Sequence, residues 1–323
     1  MTKIHKLQNQ IKHYDWGSAK LIPDLLGIKD NDPEKPYAEM WMGTHPSAPS
    51  RVSDSGVSLK EISGELPFLL KLIAVEKPLS IQVHPDKKQA AEGFKRENEA
   101  GIAIDSPLRN YKDQNEKNEL ICAITPFTLI AGFMEPKKIY DSLVGDTLRE
   151  QWELVRKLES LYPQDVGAYS PLSLNVIKLQ PGQGLFLPAG TPHSYISGFG
   201  VELMTNSDNV IRGGLTSKHI DSDELKKISK HVPFVPQIIT PCEDPLTCYP
   251  LTGENFSLYY IRGGKPVSFP QCGHSVCIVT EGELKTENQI FKKGESFYVA
   301  CCGKDAPLLL EGNFSLFAAC VLE

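Results

Sequence analysis

Two polar side chains near residue 80 have the types and the spacing of metal ligands. In SIQVHPDKK, residues 80–88, Gln82 and His84 are two positions apart. Alternate side chains of a strand project to one face, so this amide and this imidazole can reach the same ion, while Val83 faces the other layer. The alternative is a polar strand end, because a single histidine at such a place is more often a hydrogen-bonded surface residue.

A third candidate ligand, His193, lies in PAGTPHSY, directly after the apolar stretch GLFLP. Pro188, Gly190 and Pro192 restrict this turn, and a rigid loop end holds a ligand well. Taken alone, His193 is equally well explained as a turn residue. The prediction of a metal site therefore depends on the joint fit of several residues.

The same turn carries a longer pattern. From Gly182 the chain reads glycine, five residues, proline, one residue, glycine, two residues and histidine, which resembles the second motif of the cupin superfamily. The first cupin motif supplies two close ligands and then a glutamate, and Gln82 with His84 fits its opening. Glu119 in NEKNELICAITPF then supplies the glutamate, delayed by an inserted helical segment. Such a nitrogen and oxygen site would keep a divalent ion Lewis acidic, with a net charge of about +1.

The elements that must position these residues are mainly strands. LPFLLKLIAVEKPLSIQVHP, LSLNVIKLQPGQGLFLPAGTPHSYISG and the stretch from FSLYYIRGG to SLFAACVLE are rich in strand-forming residues, and their turns have the spacing of a sandwich or barrel. Two segments break the pattern. A helix is predicted to begin at Asp86 behind Pro85, and EPKKIYDSLVGDTLREQWELVRKLESLY shows helical spacing of apolar residues. The residues with that spacing are Ile139, Leu143, Leu148, Trp152, Val155 and Leu158.

A weak internal repeat indicates two similar β units. LQPGQGLFLPAG, residues 179–190, and FKKGESFYVACCG, residues 291–303, share a polar turn, a glycine, an apolar strand and a small-residue turn. The second copy has no histidine at the place of His193. We therefore expect one active unit and one scaffold unit, which covers one sheet of the active unit.

These patterns predict a mainly β fold with two cupin (jelly-roll) units and a short α-helical insertion. The predicted boundaries are 1–85 with 115–134 and 166–235 for the catalytic unit, 86–114 and 135–165 for the insertion, and 236–323 for the carboxy-terminal jelly roll.

Composition limits the classes of partner. The 323 residues, 41% hydrophobic and 23% charged, predict a soluble globular protein of two or three structural units. The net charge of −6 is diffuse and no basic stripe follows a phosphate backbone, so we expect no nucleic-acid partner. A small anionic substrate would need a local basic pocket.

Neither a targeting segment nor a membrane segment is evident. MTKIHKLQNQIKHYDWGS has no apolar core, and no run of about 18 apolar residues occurs, so we expect a cytoplasmic protein without a membrane partner. Seven of the eight cysteines follow residue 240, and none has CxxC spacing. We expect these seven to be mostly reduced, buried small side chains. They are Cys242, Cys248, Cys272, Cys277, Cys301, Cys302 and Cys320.

The chain resembles the type I phosphomannose isomerases. The resemblance is carried by HYDWGS, AEMWMGTHPSAPSRV, LPFLLKLIAVEKPLSIQVHPDKK, NYKDQNEKNEL, PAGTPHSYISG and VELMTNSDNVIRGGLTSKHID, in the family order between residues 13 and 221. It implies an aldose–ketose isomerase that interconverts mannose 6-phosphate and fructose 6-phosphate through a cis-enediol. It also implies one Zn²⁺ per chain, bound by Gln82, His84, Glu119 and His193.

The resemblance also implies roles for other residues. Arg212 is placed in the active site as a catalytic or electrostatic residue. Lys71, Ser80 and Lys218 match groups around the sugar phosphate, and a second set matches positions that line the pocket. That set is Asp15, Trp16, Glu39 and Glu202. We expect Trp16 at the pocket rim, and Trp41 with Met42 in the core.

One departure from the family bears on the proton transfer. Where many relatives read NHKPE this chain reads NEKNE, so Glu116 and Asn118 replace a histidine and a proline, while Lys117 is kept. The general base stays open between Glu202, Lys117, Glu116 and a zinc-bound water. The inserted segments are also expected to be shorter than in many relatives.

Two other functions remain open at this stage. A different cupin enzyme could hold Fe(II) for oxygen chemistry, although Gln82 and the basic residues favour a sugar phosphate. A silent sugar-phosphate sensor would result if the NEKNE change removed an essential base. The expected assembly is a monomer or a weak homodimer, and the expected cellular role is mannose activation or mannose use.

Overall fold

A computed structural model describes residues 3–144, 148–270, 272–300 and 308–322. The helices are α1 Leu21–Leu26, α2 Leu59–Ser63, α3 Lys87–Glu99, α4 Pro136–Val144, α5 Leu148–Leu161 and α6 Ser222–Ile228, with a 3₁₀ helix at Val166–Leu172. The first ten strands are β1 Ile4–Gln8, β2 Gln10–Lys12, β3 Glu39–Gly43, β4 Arg51–Val52, β5 Phe68–Val75, β6 Ile81–Val83, β7 Glu119–Ala123, β8 Phe127–Phe133, β9 Leu174–Leu179 and β10 Gly184–Leu187. The remaining strands are β11 His193–Thr205, β12 Ile211–Gly214, β13 Ile238–Ile239, β14 Leu246–Pro250, β15 Phe256–Arg262, β16 Val267–Ser268, β17 Ser275–Lys285, β18 Ile290–Lys292, β19 Ser296–Val299 and β20 Leu309–Val321.

The strands form two sheets. One follows the order β13-β10-β7-β11-β5-β3-β2, with β6, β8, β9 and β12 attached beside it, and the other follows β14-β15-β20-β17-β19-β1-β4. Strand β11 pairs with β5 and β7 and also with β6 and β8, with a register shift between Tyr195 and Ser197. Such a bulge bends a strand, so β11 curves from one set of partners to the other. The predicted mainly β, cupin-like fold is confirmed.

The two sheets share one hydrophobic core. Leu72 of β5 and Val201 of β11 belong to the same buried cluster as Leu258 of β15 and Phe317 of β20. The carboxy-terminal sheet therefore covers one face of the amino-terminal sheet, as expected. The chain also crosses between them, because β1 pairs with β19 and β13 pairs with β10. The exact unit boundaries stay a prediction.

Both predicted helical segments are present. Helix α3 begins behind Asp86, whose side chain accepts from the Gln89 amide while the Gln89 side chain accepts from the Asp86 amide. This reciprocal capping box satisfies two amides that the helix leaves unpaired. The second segment contains α4 and α5, and residues 145–147 between them lie outside the described part of the chain.

The internal repeat is visible in the geometry of its turns. Gly182 has φ 82° and Gly294 has φ 84°, a left-handed conformation that favours glycine. In the first copy the Gln180 amide donates to the Gln183 side chain, and in the second the Lys292 amide donates to the Glu295 side chain. The two polar turns are therefore built in the same way and lead into β10 and β19.

The cysteines divide into two groups. Cys272, Cys277 and Cys320 are buried, as predicted, whereas Cys242 and Cys248 are exposed. The expectation of burial is wrong for these two because Cys242 lies outside the strands and Cys248 occupies an outward position of β14, with exposed and buried residues alternating there. Cys301 and Cys302 lie outside the described residues. Among the helices that the structure does describe, none combines the length and the apolarity of a membrane crossing.

The shared core leads to a stability prediction. Leu258→Ala removes a fully buried side chain between the two sheets, and the cavity left behind should lower the free energy of unfolding by about 2–5 kcal/mol. Urea denaturation measures this change. Ile290→Ala, at a side chain 55% exposed, is the control, with an expected change within about 0.5 kcal/mol. A loss below about 1 kcal/mol for Leu258→Ala would contradict a single core shared by both sheets.

Candidate metal centre and active site

Three polar side chains lie in a row across neighbouring strands. His193 of β11 is registered with Gln82 of β6, and Gln82 is registered with Arg212 of β12. Residues directly opposite in antiparallel strands project to the same face, so sheet pairing itself brings this row together. His84 follows two positions after Gln82, at the end of β6. The predicted strand with two polar residues on one face is therefore present.

Glu119 joins the two histidines. Its Oε1 atom is 3.2 Å from His84 Nε2, and its Oε2 atom is 3.1 Å from His193 Nε2. All three side chains are buried, and their ligating atoms lie within 4.8 Å of one another. Gln82 stands beside them, with its amide nitrogen 3.4 Å from His193 Nε2. When that amide is turned over, its oxygen occupies the same place.

The hydrogen bonds of the two histidine rings show which ring nitrogens are available as metal ligands. His84 Nδ1 is 2.8 Å from the Asn209 carbonyl oxygen, and His193 Nδ1 is 2.9 Å from the Thr191 carbonyl oxygen. A carbonyl only accepts, so each Nδ1 carries the proton and each Nε2 presents a lone pair. Glu119 Oε2 is buried and accepts no hydrogen bond. Two imidazole lone pairs therefore face a carboxylate, which is the arrangement that a divalent cation stabilises.

Electrostatics favour the ligand forms of these side chains. Burial, helped by the nearby Lys117 ammonium, lowers the pKa of His84 to about 4, so the ring is neutral near pH 7. Burial opposes the ionisation of Glu119, but Lys117, His84 and His193 together outweigh it and hold the pKa of this carboxyl well below its usual range. Lys117 Nζ is 2.9 Å from Glu119 Oε1 and 3.3 Å from His84 Nε2. The cavity therefore holds a cation directly beside the candidate ligands.

A second buried charge cluster lies on the same face of the sheet. Lys71 Nζ is 3.0 Å from Glu202 Oε2 and 3.9 Å from Glu39 Oε1, and the Trp41 indole donates to Glu39 at 2.6 Å. Burial opposes the charge of Lys71, but Glu202 and then Glu39 outweigh it and raise the pKa of Lys71. Burial raises the pKa of Glu202, and Glu119 adds to that rise while Lys71 opposes it. Glu202 is thus a carboxylate that takes up a proton more readily than usual.

Both clusters open into one cavity of about 550 Å³. Seven lysine or arginine side chains and five carboxylates line it, so its charge is locally positive although the chain is negative overall. This is the local basic pocket that an anionic substrate requires. Neither Arg212 nor Lys218 forms an ion pair with any residue in the described part of the chain. Their charges are therefore available to a ligand.

The predicted site residues converge on this cavity. Eleven of them line it, and His84 and His193 lie behind Glu119. The eleven are Asp15, Trp16, Glu39, Lys71, Ser80, Gln82, Lys117, Glu119, Glu202, Arg212 and Lys218. Their individual roles stay a prediction.

Trp41 and Met42 belong to buried hydrophobic clusters, as expected. The Trp41 ring also lines the cavity, 5.2 Å from Lys71 Nζ, because Trp41 is two positions after Glu39 and shares the inner face of β3 with it. Glu116 was one candidate base, but it is absent from the cavity lining. It alternates with Lys117, so its side chain turns away and meets Asn118 instead.

The cavity also contains residues that the sequence analysis missed. Lys12, Tyr14, Lys112, Tyr162, Tyr195 and Asp208 all line it. Lys112 and Asp208 lie inside motifs already quoted for the family resemblance, so their position in those motifs is enough to predict that they lie near the active site. Tyr162 follows α5, and its hydroxyl donates to the Pro78 carbonyl at 2.8 Å. No local pattern marked that long-range contact.

Comparison with known proteins decides the family. A sequence model of the phosphomannose isomerase type I catalytic domain matches residues 4–136. Mannose-6-phosphate isomerase of Salmonella typhimurium (strain LT2) is 33% identical, over 92% of this chain and 94% of that protein. The chain belongs to the type I phosphomannose isomerase family. The Escherichia coli (strain K12) mannose-6-phosphate isomerase is 32% identical over 96% of this chain and 97% of that protein.

Solved structures of phosphomannose isomerases have the same fold. A mannose 6-phosphate isomerase bound with zinc and yttrium has a TM-score of 0.87 and 32% identity, over 99% of this chain and 100% of that chain. The Salmonella typhimurium enzyme bound to fructose 6-phosphate and zinc gives the same values. The alignment with the Escherichia coli phosphomannose isomerase extends over 384 positions, so that relative has segments which this 323-residue chain lacks.

The lowered pKa of His84 leads to a pH prediction for the metal-free protein. Its folded pKa of about 4 lies below the unfolded value of about 6.5, so the unfolded chain binds the additional proton between these values. Stability is therefore lost as the pH falls from about 6.5 to about 4, by on the order of 3 kcal/mol. Chemical denaturation with a chelator present measures it.

The matched variants for this measurement are His84→Gln and His231→Gln. His84→Gln should remove most of the decline between pH 6.5 and 4, whereas His231→Gln, at an exposed histidine, should keep it. Equal declines in wild type and His84→Gln would show that the buried imidazole does not control this transition.

Proposed function

We propose that the chain is a zinc-dependent aldose–ketose isomerase that interconverts mannose 6-phosphate and fructose 6-phosphate. The observation that carries the proposal is the shared cavity. It combines a His–Glu–His ligand group with Gln82 alongside, a carboxylate of raised pKa at Glu202, and unpaired cations at Arg212 and Lys218. Relatives that are one third identical along nearly the whole chain have this activity in their names.

The cations of the cavity differ in whether a carboxylate already neutralises them, and this difference assigns their roles in substrate binding. Lys218 and Ser80 line the cavity without a carboxylate partner, and they suit the phosphate dianion. Lys71 lies in the same cavity but is already neutralised by Glu202 and Glu39. We therefore assign it to the positioning of Glu202 and not to the phosphate, which differs from the role implied by the resemblance.

Isomerisation moves one proton between two carbons. From mannose 6-phosphate, a base removes the proton on carbon 2 while the carbonyl oxygen on carbon 1 gains a proton, which gives the cis-enediol. The hydroxyl on carbon 2 then loses its proton, and the base returns a proton to carbon 1 to give the ketose. Glu202 is our candidate base, because a raised pKa brings a carboxyl closer to the operating pH and general bases work best there.

The developing negative charge needs donors at fixed positions. Arg212 is registered next to Gln82, and Lys117 Nζ lies between His84 and Glu119, so both cations border the candidate metal ligands. Fixed cations of this kind stabilise an enediolate without reorganisation during the reaction. Zinc held by Gln82, His84, Glu119 and His193 would supply Lewis acidity to the same oxygens.

Several finer attributes belong to this proposal. We propose a cytoplasmic location for this protein. We also propose a monomer or weak homodimer, jelly-roll topology for both units, and a role in supplying mannose for GDP-mannose biosynthesis. The Fe(II) enzyme and the silent sensor have no observation in their favour beyond those already weighed.

The decisive experiment is turnover of mannose 6-phosphate by the purified protein, before and after chelation and after zinc is added back. We expect conversion to fructose 6-phosphate, loss with the chelator, and recovery with zinc. Fe(II) addition under reducing conditions is the control for the alternative metal. A folded, zinc-loaded protein without turnover would overturn the isomerase and leave the sensor.

Variants should separate the metal from the chemistry. Gln82→Ala should weaken zinc retention, whereas Arg212→Ala and Glu202→Gln should keep zinc bound and lower kcat. For a positioned base the expected loss is about a hundredfold to ten-thousandfold. Glu243→Gln, at an exposed carboxylate, is the matched control with unchanged kcat. Equal zinc loss in the Gln82 and Arg212 variants would contradict this division of roles.

A further inference from the structure

A buried amide lies between two residues of the active site. Asn118 separates Lys117 from Glu119 and is only 7% exposed. Because side chains alternate along the chain, Lys117 and Glu119 project into the cavity and Asn118 projects away from it. Its main chain is also fixed, since its amide donates to Thr205 Oγ1 at 3.2 Å and its carbonyl accepts from the Thr205 amide. Asn118 is thus adjacent to the candidate ligand Glu119 in the chain, with its side chain on the side away from the cavity.

The Asn118 side chain connects three separate segments. Its Oδ1 atom accepts from the Ala189 amide at 2.9 Å. Its Nδ2 atom donates to Glu254 Oε1 at 2.7 Å and to Glu116 Oε2 at 3.3 Å. Ala189 lies in the turn before His193, and Glu254 lies in the turn between β14 and β15 of the carboxy-terminal sheet. One side chain therefore joins the other sheet to the turn that carries a metal ligand.

Successive backbone groups of the turn at residues 188–192 form hydrogen bonds with Asn118 and with the two histidines. After the Ala189 amide is bound by Asn118, the Gly190 amide donates to the His84 carbonyl at 2.8 Å. The Thr191 carbonyl then accepts from His193 Nδ1 at 2.9 Å. That last hydrogen bond sets which nitrogen of His193 faces Glu119. A shift at Ala189 is therefore passed on to the ring of His193 within four residues.

We propose that Glu254 and Asn118 act together as positioning residues through which the carboxy-terminal unit holds the metal ligands in place. Glu254 fixes the Asn118 amide, and the amide fixes both the turn before His193 and the strand end that carries Glu119. The proposal rests on the proposed zinc site. Neither residue touches the cavity, so they act through the ligands and not on the substrate.

Residues that orient a metal ligand through a hydrogen bond are known to influence metal affinity. Removal of a residue that orients a metal ligand commonly costs tenfold to a hundredfold in metal affinity. Asn118→Ala would also leave the buried Ala189 amide unpaired, and unpaired buried groups destabilise a fold. A loss of stability alone would therefore not distinguish positioning from packing. The distinguishing property is whether the effect of Glu254 passes through Asn118.

The experiment measures the rate of zinc loss to a chromophoric chelator in the absence of substrate. The proteins are wild type, Glu254→Ala, Glu254→Gln, Asn118→Ala and the double variant Glu254→Ala/Asn118→Ala. We expect faster zinc loss by about tenfold to a hundredfold for Asn118→Ala, and a clear acceleration for Glu254→Ala. Glu254→Gln keeps an acceptor oxygen for Asn118 Nδ2, so it should match wild type. Glu243→Ala, at an exposed position, is the control.

The double variant decides the outcome. If Glu254 acts through Asn118, Glu254→Ala accelerates zinc loss in the wild-type background and adds nothing in the Asn118→Ala background. Equal acceleration in both backgrounds, or none in either, would overturn the proposal. If Asn118→Ala does not fold, as judged by circular dichroism, the comparison of Glu254→Ala with Glu254→Gln still decides it. Zinc loss needs no turnover, so this result stands apart from failure of the isomerase proposal.

Discussion

The structure depends on one electrostatic arrangement, the Glu119 carboxylate placed between two imidazole lone pairs. Without the Lys117 ammonium or a bound metal ion these atoms would repel one another in a buried place, where water does not screen them. The fold holds them there through strand pairing and through the carbonyls of Asn209 and Thr191, which orient the rings. A cation relieves the repulsion, so metal binding and the stability of this part of the fold are linked.

The remaining charges of the cavity are arranged around that centre by sheet register. Trp41, Lys71 and Glu202 are directly opposite one another on β3, β5 and β11, which makes a second row beside His193, Gln82 and Arg212. In this row Lys71 holds Glu202 in place, while burial and Glu119 favour its protonation. The balance leaves Glu202 ionisable yet basic, a property that an isolated surface glutamate lacks.

Sequence reasoning succeeded where a short pattern determines the geometry. The two-residue spacing of Gln82 and His84 and the proline-bounded turn before His193 were enough to predict polar groups converging on one face. The Asp86 cap was equally local. It failed where a partner is distant in the chain. Lys71 meets a carboxylate 131 positions away, and nothing in FLLKLIAV indicates that its charge is already neutralised. Trp41 is at once buried and part of the cavity wall, and composition alone does not distinguish these two roles.

The two faces of the amino-terminal sheet explain why a second β unit is present. The inner face of this sheet carries Lys71, Glu202 and Glu119 beside a buried apolar cluster that includes Ile73 and Ile121, and buried charges cost free energy even when paired. Its other face adds hydrophobic stabilisation by packing Leu72 and Val201 against Leu258 and Phe317 of the carboxy-terminal sheet. The repeat that lacks the histidine is thus free of catalytic constraints, and its sheet can be apolar on both faces. One unit carries the buried charges, and the other adds an apolar sheet whose burial offsets part of the free energy that these charges cost.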